Sequence, residues 1–420
     1  MPETYNSFTA VNYISEKDIA KIIKIYFKEN AVFENYSIDF ASQNMLGFLC
    51  DYLRLNVNVS VGANEKRVLN CFIKSISKSN KAKAEMVKEL KLYEKESKFY
   101  TIIIQKLRTP GIKAWSPKLI VALEDALVFE DLNSLGYRMH YKLKTLDDAH
   151  IFQALKTLAR FHASSIIYEE QKSVELNRPY RICEDYKDYF DKGGYKITAP
   201  WFSQCMIGAL EVVKSHSKYA KTKDIIDKCD RKWRNVWKAA LDLTDTSSKY
   251  RNVICHRDLW NNNLMFHYKE NEPDDCLLVD FQAARYHPPA GDVVLLLFCN
   301  LEASYREENF NRCLKYYHCT LQHILEQHCI EINDIIPLKM LQESAKDFRL
   351  WGLVATACLV PQFWIKDDLT TKIFTDSEQF NKILSQDKAT FIRKMCDENV
   401  EYRIKVMDLF EEIVCEYILN

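Results

Sequence analysis

A histidine, an aspartate and an asparagine stand close together in Ile254-Cys255-His256-Arg257-Asp258-Leu259-Trp260-Asn261-Asn262-Asn263, and a second aspartate follows in Leu277-Leu278-Val279-Asp280-Phe281. The skeleton is H-x-D, an Asn five residues after the Asp, then an Asp-Phe at the end of an apolar run. Two carboxylates and one amide suit magnesium-assisted phosphoryl transfer. Mg²⁺ prefers oxygen ligands and usually takes only one or two carboxylates beside phosphate and water. The loose transition state asks the protein mainly for positioning and charge. In such a site Asp258 orients the acceptor hydroxyl and takes its proton, while Asn263 and Asp280 hold the metal. Asn263 supplies an oxygen without adding a charge.

Chemistry of this kind also needs a strand lysine to hold phosphates and a glutamate on the next helix to orient it. Lys74 sits at the end of Asn70-Cys71-Phe72-Ile73-Lys74, an apolar strand pattern in which a charge is unusual. Glu96 lies on the following helical pattern, with Glu89 and Glu94 as alternatives. The elements that must position these groups read in order. Ser15 caps a helix with Ile19, Ile22, Ile23 and Phe27 at helical spacing. Strand patterns at 49–59 and 68–76 flank a turn at 60–67 that contains Gly62 and Asn64. A helix over 82–100, a turn at Thr109-Pro110-Gly111, and strands at 119–123 and 126–132 follow. The chain then changes character near 133–140, which predicts a β-rich lobe over 1–135 and a helical lobe over 136–420. Helical patterns cover 148–168, 206–243, 310–329, 338–359 and the tail from Asp376, and Asp292 reads as the cap of a helix beginning at Val293.

The bulk properties narrow the function. At 420 residues the chain is long for one core, and its 47% hydrophobic and 28% charged content suits a folded two-lobed protein. Lys plus Arg and Asp plus Glu both number 58, so no net charge draws it to nucleic acid or anionic lipid. The basic stretch 78–91 alternates with acids and reads as a solvated helix face. Fourteen cysteines are scattered without a C-x-x-C pair, and no signal peptide is visible in the polar segment 1–10. Reduced thiols and a cytoplasmic location are expected. The longest apolar runs, 293–299 and 350–365, are too short to span a bilayer and read as buried helices.

At these residues the chain resembles the ecdysteroid-kinase-like family of insects, a branch of the choline kinase and aminoglycoside phosphotransferase group. The catalytic loop is similar to the family's H-x-D-x-W-x-x-N-x-M/L, with Trp260 in place. Phe72-Ile73-Lys74, Glu96 with Phe99-Tyr100, Glu130-Asp131-Leu132 with Gly136-Tyr137, and Leu158-Ala159-Arg160-Phe161-His162-Ala163 also match, so the resemblance runs from about 41 to 306. It implies an α+β, protein-kinase-like two-lobed fold and transfer of phosphate from ATP, with Mg²⁺, to a small-molecule alcohol such as an ecdysteroid or a hydroxylated foreign compound. It also places Glu130 and Leu132 at the adenine, and Gln43-Asn44-Met45-Leu46-Gly47 at the phosphate loop. Two departures stand out: Arg257 occupies a position where the family often has Gly, and Gln282 follows Asp280-Phe281 where protein kinases have Gly. Glycine is scarce, nine in all, and neither G-x-G-x-x-G nor a P-loop is present.

Other readings fit less well. Only eleven residues separate Asp280 from Asp292 and no A-P-E follows, which leaves no room for the activation segment of a protein kinase. A catalytically silent small-molecule binding protein on the same fold is the alternative, opposed by the intact Lys74, Asp258, Asn263 and Asp280. His318, His323 and His328 recur in steps of five and do not share one helix face, so a metal site there is not expected. No hydrolase motif is present, and no obligate protein partner is inferred. Trp201, Phe202, Phe298, Trp351 and Trp364 are candidates for an apolar acceptor pocket, though residues of this kind usually belong to the core.

Overall fold

The computed structural model describes residues 10–28, 31–62, 65–190 and 193–420. The opening segment 1–9, and Asn64 of the expected turn, lie outside the described residues. Strands β1 (Ala31–Phe40), β2 (Cys50–Val61), β3 (Glu65–Ile76), β4 (Leu119–Ala122) and β5 (Ala126–Glu130) form one antiparallel sheet in the order β1-β2-β3-β5-β4. Side chains alternate across a strand, so one face is written at every second position. Leu53, Leu55, Val57 and Val59 of β2 and Leu69, Cys71 and Ile73 of β3 are all buried, packed with Ile19, Ile22 and Ile23 of helix Glu16–Phe27. Ser15 caps that helix through a reciprocal pair, Asp18 N–H to Ser15 Oγ and Ser15 N–H to an Asp18 carboxylate oxygen. The other face carries Tyr52 opposite Lys74 and Arg54 opposite Phe72.

Beyond the sheet the chain is mainly helical, the expected α+β division. Helix Asp148–Leu176 runs through the large second core, and helices Ala290–Asn300 and Arg349–Phe363 are buried along nearly their whole lengths, as their apolar runs predict. Among the described residues no helix is long and apolar enough to cross a membrane. Two small sheets support the chemistry: β6 (Tyr137–Met139), β8 (Leu264–Lys269) and β9 (Glu272–Leu278) in the order β6-β8-β9, and β7 (Val253–Cys255) paired with β10 (Arg285–His287).

Several elements differ from the sequence reading. Strand β1 was not expected; only Ile38 of its ten residues is fully buried, and the alternation of Tyr36, Ile38 and Phe40 with Ser37 and Asp39 covers only its second half. The expected helix over 82–100 is two helices, Lys81–Glu89 and Leu92–Lys98, broken where Lys91 adopts a left-handed φ of 53°. A π-helical turn at Phe99–Ile103 follows. The expected helix over 206–243 is likewise two, Pro200–His216 and Lys223–Asp242, and the one over 338–359 divides at Phe348. Asp292 does not cap a helix starting at Val293; the helix begins at Ala290 and the carboxylate is used elsewhere.

Candidate active site

The two motif segments meet through local strand pairing. Hairpin β8–β9 sets Leu264 opposite Leu278, and Val279 N–H donates to Asn263 O at 3.1 Å, so Asn263 and Asp280 emerge side by side. Asp280 holds a left-handed φ of 68°, a conformation that a non-glycine residue adopts at some energetic cost and that turns the chain sharply after the strand. Phe281 stacks on Phe99 (4.7 Å, 11°) and meets the His256 ring at 4.6 Å. His256 is buried. Its Nδ1 accepts Asp258 N–H at 3.2 Å, so its protonated Nε2 donates to Val279 O at 2.9 Å. Burial pushes its pKa below the usual value. The ring therefore braces the loop and is not placed to react.

Lys74 is only 7% exposed and sits between two carboxylates, with Glu96 Oε2 at 2.6 Å and Asp280 Oδ1 at 2.8 Å. Of the three helix acids open in the sequence, Glu96 is the one that meets it. Burial works against the ammonium, yet Asp280 and Glu96 hold its pKa well above the ordinary lysine value. Burial, opposed by Lys74, raises the Glu96 carboxyl. Asn263 Nδ2 donates to Asp258 O at 2.7 Å and Asp258 Oδ2 at 2.9 Å. That fixes the amide, with Oδ1 on the side away from Asp258. Burial and the neighbouring Asp280 charge push the Asp258 carboxyl up to about 7. The Asp258 and Asp280 carboxylates, plus one outward amide oxygen, make an all-oxygen donor set that fits Mg²⁺.

The catalytic loop hangs from a residue the sequence reading assigned elsewhere. Asp292 is fully buried and accepts His256 N–H at 2.6 Å, Arg257 N–H at 2.8 Å and lies 3.3 Å from His162 Nε2. Burial raises its pKa, but the His162 hydrogen bond and the surrounding imidazoles hold it below the usual carboxylate range. His162 in turn meets the Tyr317 hydroxyl at 2.7 Å. Arg257 has a φ of 71°, which accounts for glycine suiting this position and for Arg257 needing anchors. Its guanidinium lies 4.3 Å from the Tyr195 ring centre and 5.2 Å from that of Trp351. Gln282 has no such backbone requirement, so glycine is not needed there.

These groups open into one cavity of about 280 Å³. Lys74, Glu96, Asp258, Asn263 and Asp280 line it, as do Glu130 and Leu132 at the end of the sheet. The N–H groups of Glu130 and Asp131 are taken by Lys118 O and Asn70 O. Leu132 N–H makes no backbone hydrogen bond among the described residues. The loop at 41–49 forms another wall. Its Gly47 packs under Tyr52, where a Cβ would come within 2.9 Å of the ring, so this glycine serves side-chain packing. The loop is anchored from the helical side: Met45 N–H donates to Thr371 Oγ1 at 2.9 Å, and Phe48 lies between Phe363 (4.6 Å) and Phe374 (4.8 Å). Of the aromatic candidates, Trp201 lines the cavity; Phe202, Phe298 and Trp351 belong to the core. Gln362, Phe363 and Tyr52 line it without having been singled out, because nothing local in their segments marks them.

The model of the ecdysteroid kinase-like family matches residues 45–329. No curated protein matches the chain. Solved structures similar to it include an ethanolamine kinase from Plasmodium vivax (12% identity, 96% of this chain and 93% of that one, TM-score 0.41). A choline kinase from Cryptosporidium parvum Iowa II is similar at 13% identity, over 96% of this chain and all of that one, with TM-score 0.41. The GDP complex of an aminoglycoside 2'-phosphotransferase-IIIa matches at 10% identity, over 94% and 97%, with TM-score 0.37.

Proposed function

Because the chain belongs to the ecdysteroid kinase-like family and is a small-molecule kinase acting on a hydroxyl group, we propose that it transfers the terminal phosphoryl group of ATP, with Mg²⁺, to a hydroxyl of an ecdysteroid or a similarly bulky, apolar alcohol. The observation that carries this reading is Lys74 held between Glu96 and Asp280 on the same cavity as Asp258 and Asn263. Lys74 would hold the ATP phosphates, with Glu96 fixing its direction. Leu132 N–H and the backbone oxygen of Glu130 would face the adenine. Asn263 Oδ1 and Asp280 would hold Mg²⁺, which when bound offsets phosphate charge. Asp258 would orient the acceptor hydroxyl. As the acceptor oxygen bonds to the terminal phosphorus and the bond to the ADP oxygen breaks, the hydroxyl proton passes to the Asp258 carboxylate. The same reading takes 1–135 and 136–420 as the two lobes that enclose the nucleotide, and the cytoplasm, with its ATP and reduced thiols, as the location.

The acceptor side of the cavity supports an apolar alcohol over a cationic one. Leu46, Met86, Leu90, Trp201, Leu359 and Leu384 line it. Of the lining carboxylates among the described residues, Glu96, Glu130, Asp131 and Asp280 belong to the nucleotide and metal side in this reading, and Asp258 is engaged with the reacting hydroxyl. None is left over to receive an ammonium group. The test is thermal stability with and without MgATP for wild type and Asp280→Ala, since ligand at about 100 times its dissociation constant adds roughly 2.7 kcal/mol. A metal-dependent rise lost in Asp280→Ala, followed by phosphorylated product from a panel of steroid alcohols, is expected. No rise at saturating MgATP would sink the kinase reading and favour a silent binding protein.

A further inference from the structure

Gln362 lines the cavity and is 3% exposed. Its Oε1 accepts a short hydrogen bond from Lys388 Nζ and lies 3.5 Å from Trp201 Nε1. An ammonium and an indole N–H are donors only, so the amide cannot be turned round without setting donor against donor. The carbonyl oxygen belongs on the Lys388 side and the Nε2 hydrogens on the other. Among the described residues no group accepts from Nε2.

The feature that locks this orientation is unusual in its own right. Lys388 is wholly buried, and no carboxylate of the described residues lies within ion-pair distance. Besides Gln362 it has the Trp201 ring at 6.0 Å and the Cys205 thiol. Burial works against ionising that thiol, but the Cys358 thiol and Lys388 together lower it to about 7. A buried cation without a carboxylate destabilises the fold relative to an apolar side chain. What it does here is hold one amide in one orientation. The amide is also tied to the catalytic loop, because the next residue, Phe363, stacks on Trp260 at 3.9 Å and 6°, two residues beyond Asp258.

We propose that Gln362 is a specificity-determining residue whose Nε2–H donates to a second oxygen of the acceptor, remote from the hydroxyl that is phosphorylated. The acceptor is then a bulky apolar alcohol that also carries a carbonyl, ether or hydroxyl oxygen on its far side. A purely hydrocarbon far side would leave the amide hydrogens buried and unmet. The inference rests on the reading of this cavity as the acceptor chamber.

The experiment is calorimetric binding to the full-length protein, without nucleotide, of two probes: a saturated steroid alcohol bearing a ketone at the end opposite its hydroxyl, and the same molecule with a methylene in place of the ketone. Wild type is expected to prefer the ketone about tenfold, the worth of one neutral buried hydrogen bond. Gln362→Leu and Gln362→Glu are each expected to abolish the preference. The glutamate variant keeps a partner for Lys388 while offering no N–H, so it carries the test if the leucine variant does not fold. Equal binding of the probes to wild type, binding of neither, or a preference that survives in the glutamate variant would each overturn the proposal. Binding needs no phosphoryl transfer, so failure of MgATP to stabilise the protein would remove the kinase reading and leave this preference measurable.

Discussion

Replacing Asp292 by asparagine changes one atom of the group from which the catalytic loop hangs. One carboxylate oxygen accepts His256 N–H at 2.6 Å and the other accepts Arg257 N–H at 2.8 Å. An amide has one accepting oxygen, so in either orientation its NH₂ faces a backbone N–H that cannot move away. Loss of one charge-assisted hydrogen bond is worth about 1.5–3 kcal/mol, and a buried N–H left unmet about 1–3 kcal/mol more. The sum, about 2.5–6 kcal/mol, is a large part of the 5–15 kcal/mol typical of a folded protein. At about 2.1 cal/mol/K per residue it should lower Tm by roughly 3–7 °C. Urea unfolding of Asp292→Asn reads the stability, and kcat on any accepted alcohol reads the loop. Leu295→Ala is the control, a buried residue of the same helix whose truncation costs about 2–5 kcal/mol without touching the loop. Asp292→Asn is expected to lose turnover well beyond Leu295→Ala at matched stability. A variant as stable and as active as wild type would refute the claim that this carboxylate suspends the loop.

Two further outcomes follow from neighbouring features. His287 is fully buried, faces Asp292, Arg257 and Arg285, and burial pushes its pKa from 6.5 to about 3. The unfolded chain therefore binds this proton first, so its contribution is fully present above about pH 6.5 and is lost as pH falls towards 3. By pH 4 that is roughly 3 kcal/mol at 1.36 kcal/mol per unit. His287→Gln should flatten this part of the acid limb in urea unfolding at several pH values; an unchanged limb would show the proton is taken elsewhere. Phe48→Ala removes the ring between Phe363 and Phe374, two aromatic contacts worth about 0.5–1.5 kcal/mol each. MgATP binding should weaken by roughly 5- to 150-fold in calorimetry, and unaltered affinity would mean the loop needs no such anchor.

What the sequence made legible was what is local or periodic. Asp258 and Asn263 are five residues apart on one loop, and Lys74 interrupts an apolar strand pattern, with the acid it meets on the helical stretch that follows. The sheet's second and third strands announce themselves because one face is buried over most of its length. Strand β1 lies at the sheet's edge, and its alternation is confined to Tyr36, Ile38 and Phe40, which pack on the smaller core, while 32–35 are exposed, so the signal is too short to stand out. The helix breaks at Lys91 and Phe348 use neither glycine nor proline, so no residue type marks them. Asp292 looked like a helix cap because its real partners lie 35 and 36 residues away. Gln362 was invisible for the same reason, its role depending on a lysine 26 residues further on.

The anchoring of the loop at 41–49 also bears on how the protein is made. Met45 finds Thr371 across 326 residues, and Asn80 and Ala82 find Thr375 and Ser377 across 295. At about 5–20 residues per second, a ribosome needs roughly 16–65 s after reaching Met45 before the first of these partners is synthesised. During that interval the sheet can form, but the loop and the apolar wall beside it stay uncovered. The nascent chain is thus most exposed to chaperones and to aggregation over the same residues that later wall the cavity, and slower translation through 365–384 would lengthen that exposure.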